Sequence, residues 1–306
     1  AAPNLRLIQL LSAGYDRADI DALRRSGVPM ANNGGAIYII YGQESLKINT
    51  YSSSGDGAYI PYDYGQSIQF SELFSEFPDA QMGDAVTVGD FNGDGYMDYA
   101  TSMHGVSLND LDDSGIVVIA LGNIAGMPFV QVVIGGSATD ANLGKGDGSI
   151  ENLGDINGDG LDEIGIKDAQ GQFFIIWGQE FWPVNFDYNG DFTNESYFLD
   201  LSLASSLDGV FASSSLIGEN FNFKGVGDLD GDGYDDFFIG TPFADWTSNS
   251  SGQSNGEGLL LYGQDSWGGE NVDLNSSLRA VVIKGEYLGQ QIIALGDIDG
   301  DGEVEF

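Results

Sequence analysis

The chain has no cysteine and a single histidine, His104. Thiolate chemistry, disulfides and zinc sites built on sulfur or several imidazoles are thereby excluded. His104, between Met103 and Gly105, reads as a surface loop residue and not as a catalyst. No Ser–His or Cys–His pair then remains for nucleophilic catalysis. Basic residues are nearly as scarce, with 10 Lys and Arg against 47 Asp and Glu and a formal net charge of −37. Such a surface repels nucleic acid and anionic membranes. It favours cations, and it favours a saline medium in which self-repulsion is screened. No apolar run approaches the ~20 residues that span a bilayer, so no direct membrane insertion is expected.

What is present points to a globular β protein. Hydrophobic residues make up 42% of the chain, and the 46 glycines alternate with aromatic and β-branched runs, a pattern of turns between strands. No sustained helical periodicity follows residue 35. Without disulfides, stability must come from size, sheet closure or metal.

One element recurs four times: VGDFNGDGYMDYA from Val88, LGDINGDGLDEIG from Leu153, VGDLDGDGYDDFF from Val226 and LGDIDGDGEVEF from Leu295. The period of about 70 residues fits a four-stranded antiparallel unit and exceeds that of leucine-rich or ankyrin repeats. An apolar–Gly pair precedes each copy: Met82-Gly83, Leu143-Gly144, Ile217-Gly218 and Leu288-Gly289. Closing strands follow at Ile116–Gly122, Phe173–Gly178 and Gly258–Gly263, and a further one, Ala36–Gly42, precedes the first copy. Such units stacked radially make the blades of a β-propeller.

The repeated loop reads D-x-[DN]-x-D-G-x-x-[DE], over 90–98, 155–163, 228–236 and 297–305. Calcium takes six to eight hard oxygen ligands at ~2.3–2.6 Å. The expected ligands of the first loop are Asp90, Asn92, Asp94, the Tyr96 carbonyl and Asp98. Those of the second are Asp155, Asn157, Asp159, the Leu161 carbonyl and Glu163, with Asp162 as a competitor of Glu163. The third offers Asp228, Asp230, Asp232, the Tyr234 carbonyl and Asp236. The fourth offers Asp297, Asp299, Asp301, the Glu303 carbonyl and Glu305. Side chains at positions 1, 3 and 5 converge only if position 6 accepts a positive φ, and Gly95, Gly160, Gly233 and Gly302 stand there.

Magnesium demands a more rigid octahedron, so about four calcium sites are expected. Asp-Gly and Asn-Gly also form metal-free turns, but four copies of facing carboxylates in one register favour a cation. An EF-hand needs an acid at position 12 and flanking helices. Position 12 is Thr101, Ile166 and Ile239 here, and strand-like sequence follows.

The order apolar–Gly, acidic loop, Gly-x-Pro and aromatic strand resembles the FG-GAP repeat. The third copy is the closest, with Gly240-Thr241-Pro242; the others read Ala100-Thr101-Ser102 and Gly165-Ile166-Lys167. The resemblance, over about residues 36–306, implies an all-β fold: propeller blades like those at the head of integrin α-subunits. Seven blades at this period need about 450 residues. A partial set, truncated at the C-terminus, is therefore the expectation for these 306 residues.

Residues 1–35 form a divergent or foreign segment, similar to a piece of the D-2-hydroxyacid dehydrogenase family at the Ser12-Ala13-Gly14 loop. In that family the loop backbone helps hold a substrate carboxylate. The dinucleotide-binding glycine loop that such chemistry needs is absent, so no activity is carried over and no enzyme is expected. The expected role is an extracellular or cell-surface adhesion or protein-interaction module with structural calcium, from a prokaryote. Its partner would be a protein or glycan of the cell surface or matrix. The alternative is a carbohydrate-binding module, or a non-catalytic propeller attached to a secreted hydrolase, with Trp182, Trp246 and Trp267 available for sugar stacking. Thr241–Gly256 and Phe181–Tyr197 are candidate ligand-facing stretches.

Overall fold

A computed structural model describes residues 36–40, 70–74, 80–108, 110–122, 131–182, 196–201, 210–213, 221–242, 255–265, 267, 280–286, 288–298, 304 and 306. Residues 1–35 and the loop positions Asp299, Asp301, Glu303 and Glu305 lie outside them, as does Trp246.

The described residues contain no α-helix; they form strands in small sheets. The first large sheet joins β3 (Val86–Gly89), β4 (Asp98–Met103), β5 (Ile116–Ala120) and β6 (Gln131–Gly135) as an antiparallel meander. The second joins β7 (Ile150–Gly154), β8 (Glu163–Lys167), β9 (Phe173–Ile176) and β11 (Val210–Ser213). The third joins β12 (Asn222–Gly227), β13 (Asp236–Thr241), β14 (Asn255–Leu261) and β15 (Ala280–Glu286). A two-stranded pair, β1 (Ala36–Ile40) and β2 (Phe70–Phe74), precedes them. In all three large sheets the acidic loop joins the first strand to the second.

Two expectations about the strands are corrected. The runs at Ile116–Gly122, Phe173–Gly178 and Gly258–Gly263 are third strands and not closing ones, because β6, β11 and β15 pair beyond them. The repeat is also not strictly four-stranded. Between β9 and β11 the chain returns to the first sheet, where β10 (Ser196–Asp200) pairs parallel to β6 as a fifth strand. That strand covers the edge β6 would otherwise present for unwanted pairing.

The sheets pack face to face, and this explains the continuous apolar runs. In β9, Phe174 and Ile176 enter the core shared with the first sheet, while Phe173 and Ile175 enter the core shared with the third. In β5, Val117 and Ile119 face the second sheet, while Ile116, Val118 and Ala120 face the opposite side. Strands buried on both faces lose the apolar–polar alternation of a half-exposed sheet. The core between the second and third sheets is aromatic: Phe173 meets Phe221 edge-on at 6.0 Å and Phe223 at 4.7 Å. The innermost strands β3, β7 and β12 lie side by side, and ion pairing joins two of them through Lys224 and Glu151.

The glycines of the apolar–Gly pairs before the second and fourth loops lie tight against a strand of the preceding sheet. At Gly289 an added Cβ would stand 2.2 Å from the Cα of Gly240 in β13. At Gly144 it would stand 2.6 Å from the Cβ of Ser102 in β4.

His104 departs from its expected place. It is 4% exposed: the turn after β4 is held to the segment before β3, with Gly105 N–H donating to Ala80 O at 3.3 Å, and His104 Nδ1 lies 3.3 Å from Asp84. Burial lowers its pKa, against the raising effect of the Asp84 charge.

Candidate metal centre

The three fully described loops share one hydrogen-bonded frame. The position-1 aspartate accepts from the backbone at positions 5 and 6. Asp90 takes Asp94 N–H at 3.1 Å and Gly95 N–H at 2.9 Å. Asp155 takes Asp159 N–H at 3.0 Å and Gly160 N–H at 2.8 Å. Asp228 takes Asp232 N–H at 3.1 Å and Gly233 N–H at 2.8 Å. The curl requires the positive φ foreseen at position 6, which is +81° at Gly95, +89° at Gly160 and +93° at Gly233. At position 5, Asp94, Asp159 and Asp232 each accept the N–H of position 7, that of Tyr96, Leu161 and Tyr234.

The position-9 acid anchors the loop to its sheet. Asp98 accepts Phe91 N–H at 3.0 Å and Gly122 N–H at 2.6 Å. Glu163 accepts Ile156 N–H at 2.9 Å and Gly178 N–H at 3.2 Å. Asp236 accepts Leu229 N–H at 2.9 Å and Gly263 N–H at 2.8 Å. Each of these carboxyls is at most 1% exposed. A carboxylate has about four lone-pair sites, so each retains acceptor capacity beyond these two bonds.

Burial is the largest influence on these acids, raising Asp98 to about 7, Glu163 to about 9 and Asp236 to about 6. The two backbone donors of each act against the rise, and the other acids of its loop add to it. This is the environment in which a bound cation would hold a buried carboxylate in its charged form.

In the third loop the ligand atoms of Asp228, Asp230 and Asp236 lie within 4.8 Å of one another. Oxygens around one calcium stand at most about 5 Å apart, twice the bond length. The trio is therefore spaced for a hard divalent cation. Asp232 is outside it, with Oδ1 turned to Tyr234 N–H at 3.2 Å. In the first two loops position 3 is an asparagine, and its amide reaches the other ligands. Asn92 Nδ2 donates to Asp94 at 3.3 Å, and Asn157 Nδ2 donates to Asp159 at 3.0 Å and to Glu163 at 3.4 Å. Of the fourth loop, Asp297 alone among the expected ligands is described.

Asp162 does not compete with Glu163. Its Oδ2 accepts Asp90 N–H at 2.8 Å and Asn152 Nδ2 at 3.0 Å, turning it toward the neighbouring unit.

Two tryptophans leave the surface. Trp182 is 5% exposed in the core between the first and second sheets. Trp267 is 7% exposed, and its indole N–H donates to Ile156 O at 3.1 Å. Neither presents an open face to a sugar, because the aromatic content that made them candidates is used to fill the space between sheets.

Residues 225–259 match the FG-GAP repeat family. The match takes in the end of β12, the third acidic loop, β13 and most of β14, so it covers the copy with the convergent carboxylate trio. No curated protein matches the chain. Neither comparison supports the dehydrogenase likeness of residues 1–35.

Proposed function

We propose that this chain is part of a calcium-stabilised FG-GAP propeller, acting outside the cell as an adhesion or protein-interaction module. The observation that carries the reading is the convergence of Asp228, Asp230 and Asp236 inside the segment that matches the repeat family. FG-GAP repeats occur in adhesion and protein-interaction propellers, and face-to-face sheets with the loop between first and second strands agree with that use. The full set of expected ligands, the fourth loop included, belongs to this proposal, as do the prokaryotic surface location and a protein or glycan partner. We assign calcium a structural role and the chain no catalytic one.

Calcium at millimolar concentration outside cells fills even weak sites. A ligand that binds the folded state alone stabilises it by ~2.7 kcal/mol per site at one hundred times its Kd. Thermal unfolding of the intact chain in excess calcium and in EDTA tests the reading. A rise in Tm of ten degrees or more with calcium, absent with magnesium at equal concentration, is expected. Superimposable melting curves would overturn it. The sugar-binding alternative retains Trp246 and loses Trp182 and Trp267, both buried.

A further inference from the structure

Position 8 of the loop has no place in the calcium motif, yet in two copies it makes the same bonds across a joint between units. Asp162, in the second loop, accepts the N–H of Asp90 in the first loop through Oδ2 at 2.8 Å. Its own N–H donates to Asp90 O at 3.1 Å. Asp235, in the third loop, accepts the N–H of Asp155 in the second at 2.9 Å, and donates its N–H to Asp155 O at 3.0 Å. Both backbone groups of a position-1 residue are thus held by one aspartate of the next unit.

Room for that aspartate explains the glycine before the first and the second loop. A Cβ on Gly89 would stand 2.7 Å from Asp162 Oδ2, and one on Gly154 would stand 2.0 Å from Asp235 Oδ2. A second strand of contact runs beside the first. Gln179 N–H donates to Phe91 O at 3.1 Å, and Gln264 N–H donates to Ile156 O at 2.9 Å. The first and second loops are therefore each clasped by the unit that follows. At the third joint the corresponding residue is Val304, whose methyl would lie 3.1 Å from a Cβ on Gly227. Valine offers no acceptor for Asp228 N–H.

We propose that Asp162 and Asp235 are positioning residues that set the calcium affinity of the preceding unit's loop and not of their own. The position-1 side chain is the hub of the loop, accepting from positions 5 and 6. Fixing its backbone on both sides preorganises the carboxylate before the cation arrives. The inference rests on the calcium reading above. It makes the affinity of a loop depend on a residue of the unit that follows it in the chain.

The test follows calcium titrations of the full chain, labelled with 15N-glycine, by the amide signals of Gly95 and Gly160. Each of these amides donates to its own loop's position-1 carboxylate. With Asp162→Ala the midpoint at Gly95 is expected to rise at least fivefold, while that at Gly160 stays within twofold. Asp162→Asn keeps a carbonyl acceptor without the charge and should return Gly95 to within twofold of the parent. Asp235→Ala should move Gly160 in the same way, which preserves the test should the first variant not fold. A shift at Gly160 with Gly95 unchanged in Asp162→Ala would overturn the inference. So would an asparagine variant as weak as the alanine one, since charge alone would then account for the effect. A parent chain whose loop glycines ignore calcium would instead sink the calcium reading itself.

Discussion

The second and third loops have the same frame and different contents. Both hold the position-1 carboxylate on the N–H groups of positions 5 and 6, and both anchor position 9 on two backbone donors. At position 3 the second loop has Asn157, whose amide links Asp159 and Glu163. The third has Asp230, which offers oxygen and no N–H and completes the carboxylate trio. The next unit also treats them differently, giving an aspartate to the second and a valine to the third. The frame belongs to the glycine and aspartate spacing. On the proposed reading, how strongly a loop depends on a cation is set by one residue inside it and one residue outside it.

The largest expected effect breaks the joint that distinguishes them. Gly154 and Gly227 have nearly equal φ, +79° and +82°, so the backbone strain of an alanine is about the same at both. At Gly154 the new methyl also overlaps the Asp235 carboxylate, whereas at Gly227 it stands 3.1 Å from a Val304 methyl, a far milder crowding. Gly154→Ala should cost about 3 kcal/mol and Gly227→Ala about 1–2 kcal/mol, from strain and overpacking. Urea unfolding of both variants in calcium measures the difference, and equal losses would contradict the asymmetry.

A somewhat smaller effect is expected within the third loop. Asp228→Ala removes the acceptor of Gly231, Asp232 and Gly233 N–H and one member of the trio. About a hundredfold loss of calcium affinity at that loop, ~2.7 kcal/mol, is the expected calorimetric result. Smaller again are the two exchanges that interconvert the loops. Asp230→Asn should weaken the third loop about tenfold, ~1.4 kcal/mol, and raise the Tm measured in EDTA by relieving repulsion. Asn157→Asp should do the reverse in the second.

The smallest effect is on pH dependence without calcium. Burial holds Asp236, Asp98 and Glu163 at about 6, 7 and 9, above their ordinary values of 3.8, 3.8 and 4.5. Between those limits the folded chain carries more protons than the unfolded one, so stability falls as pH rises. In EDTA the Tm should drop from pH 5 to pH 8. With calcium bound the carboxylates are already charged, and the slope should flatten. A metal-free Tm that rises over that range would contradict the assignment.

Much of this was legible in the sequence, because short-range geometry carries it. The strand–loop–strand order and the positive φ of Gly95, Gly160 and Gly233 follow from residues within ten positions of one another, and the period from the recurrence of that short motif. What escaped depends on contacts between units. The role of Asp162 is set by Asp90, 72 residues away, and a single copy of the motif gives no sign of it. The burial of Trp182 and Trp267 likewise reflects the neighbouring sheet, and that of His104 the segment at Ala80 and Asp84, and not local sequence. The fifth strand of the first sheet, β10, carries an aromatic–apolar run like any other strand, and nothing local marks it for a parallel pairing with the unit before. Signal for the joints was nonetheless present, in the invariance of the glycine before each loop and the recurrence of aspartate at position 8 of the second and third copies.

The central claim is that the Asp228 loop holds calcium, and anomalous scattering from crystals of the intact chain grown with calcium tests it most directly. The account predicts a peak ~2.3–2.6 Å from oxygens of Asp228, Asp230 and Asp236, with the Tyr234 carbonyl completing the shell. A well-ordered loop in millimolar calcium with water or nothing among those three carboxylates would contradict it.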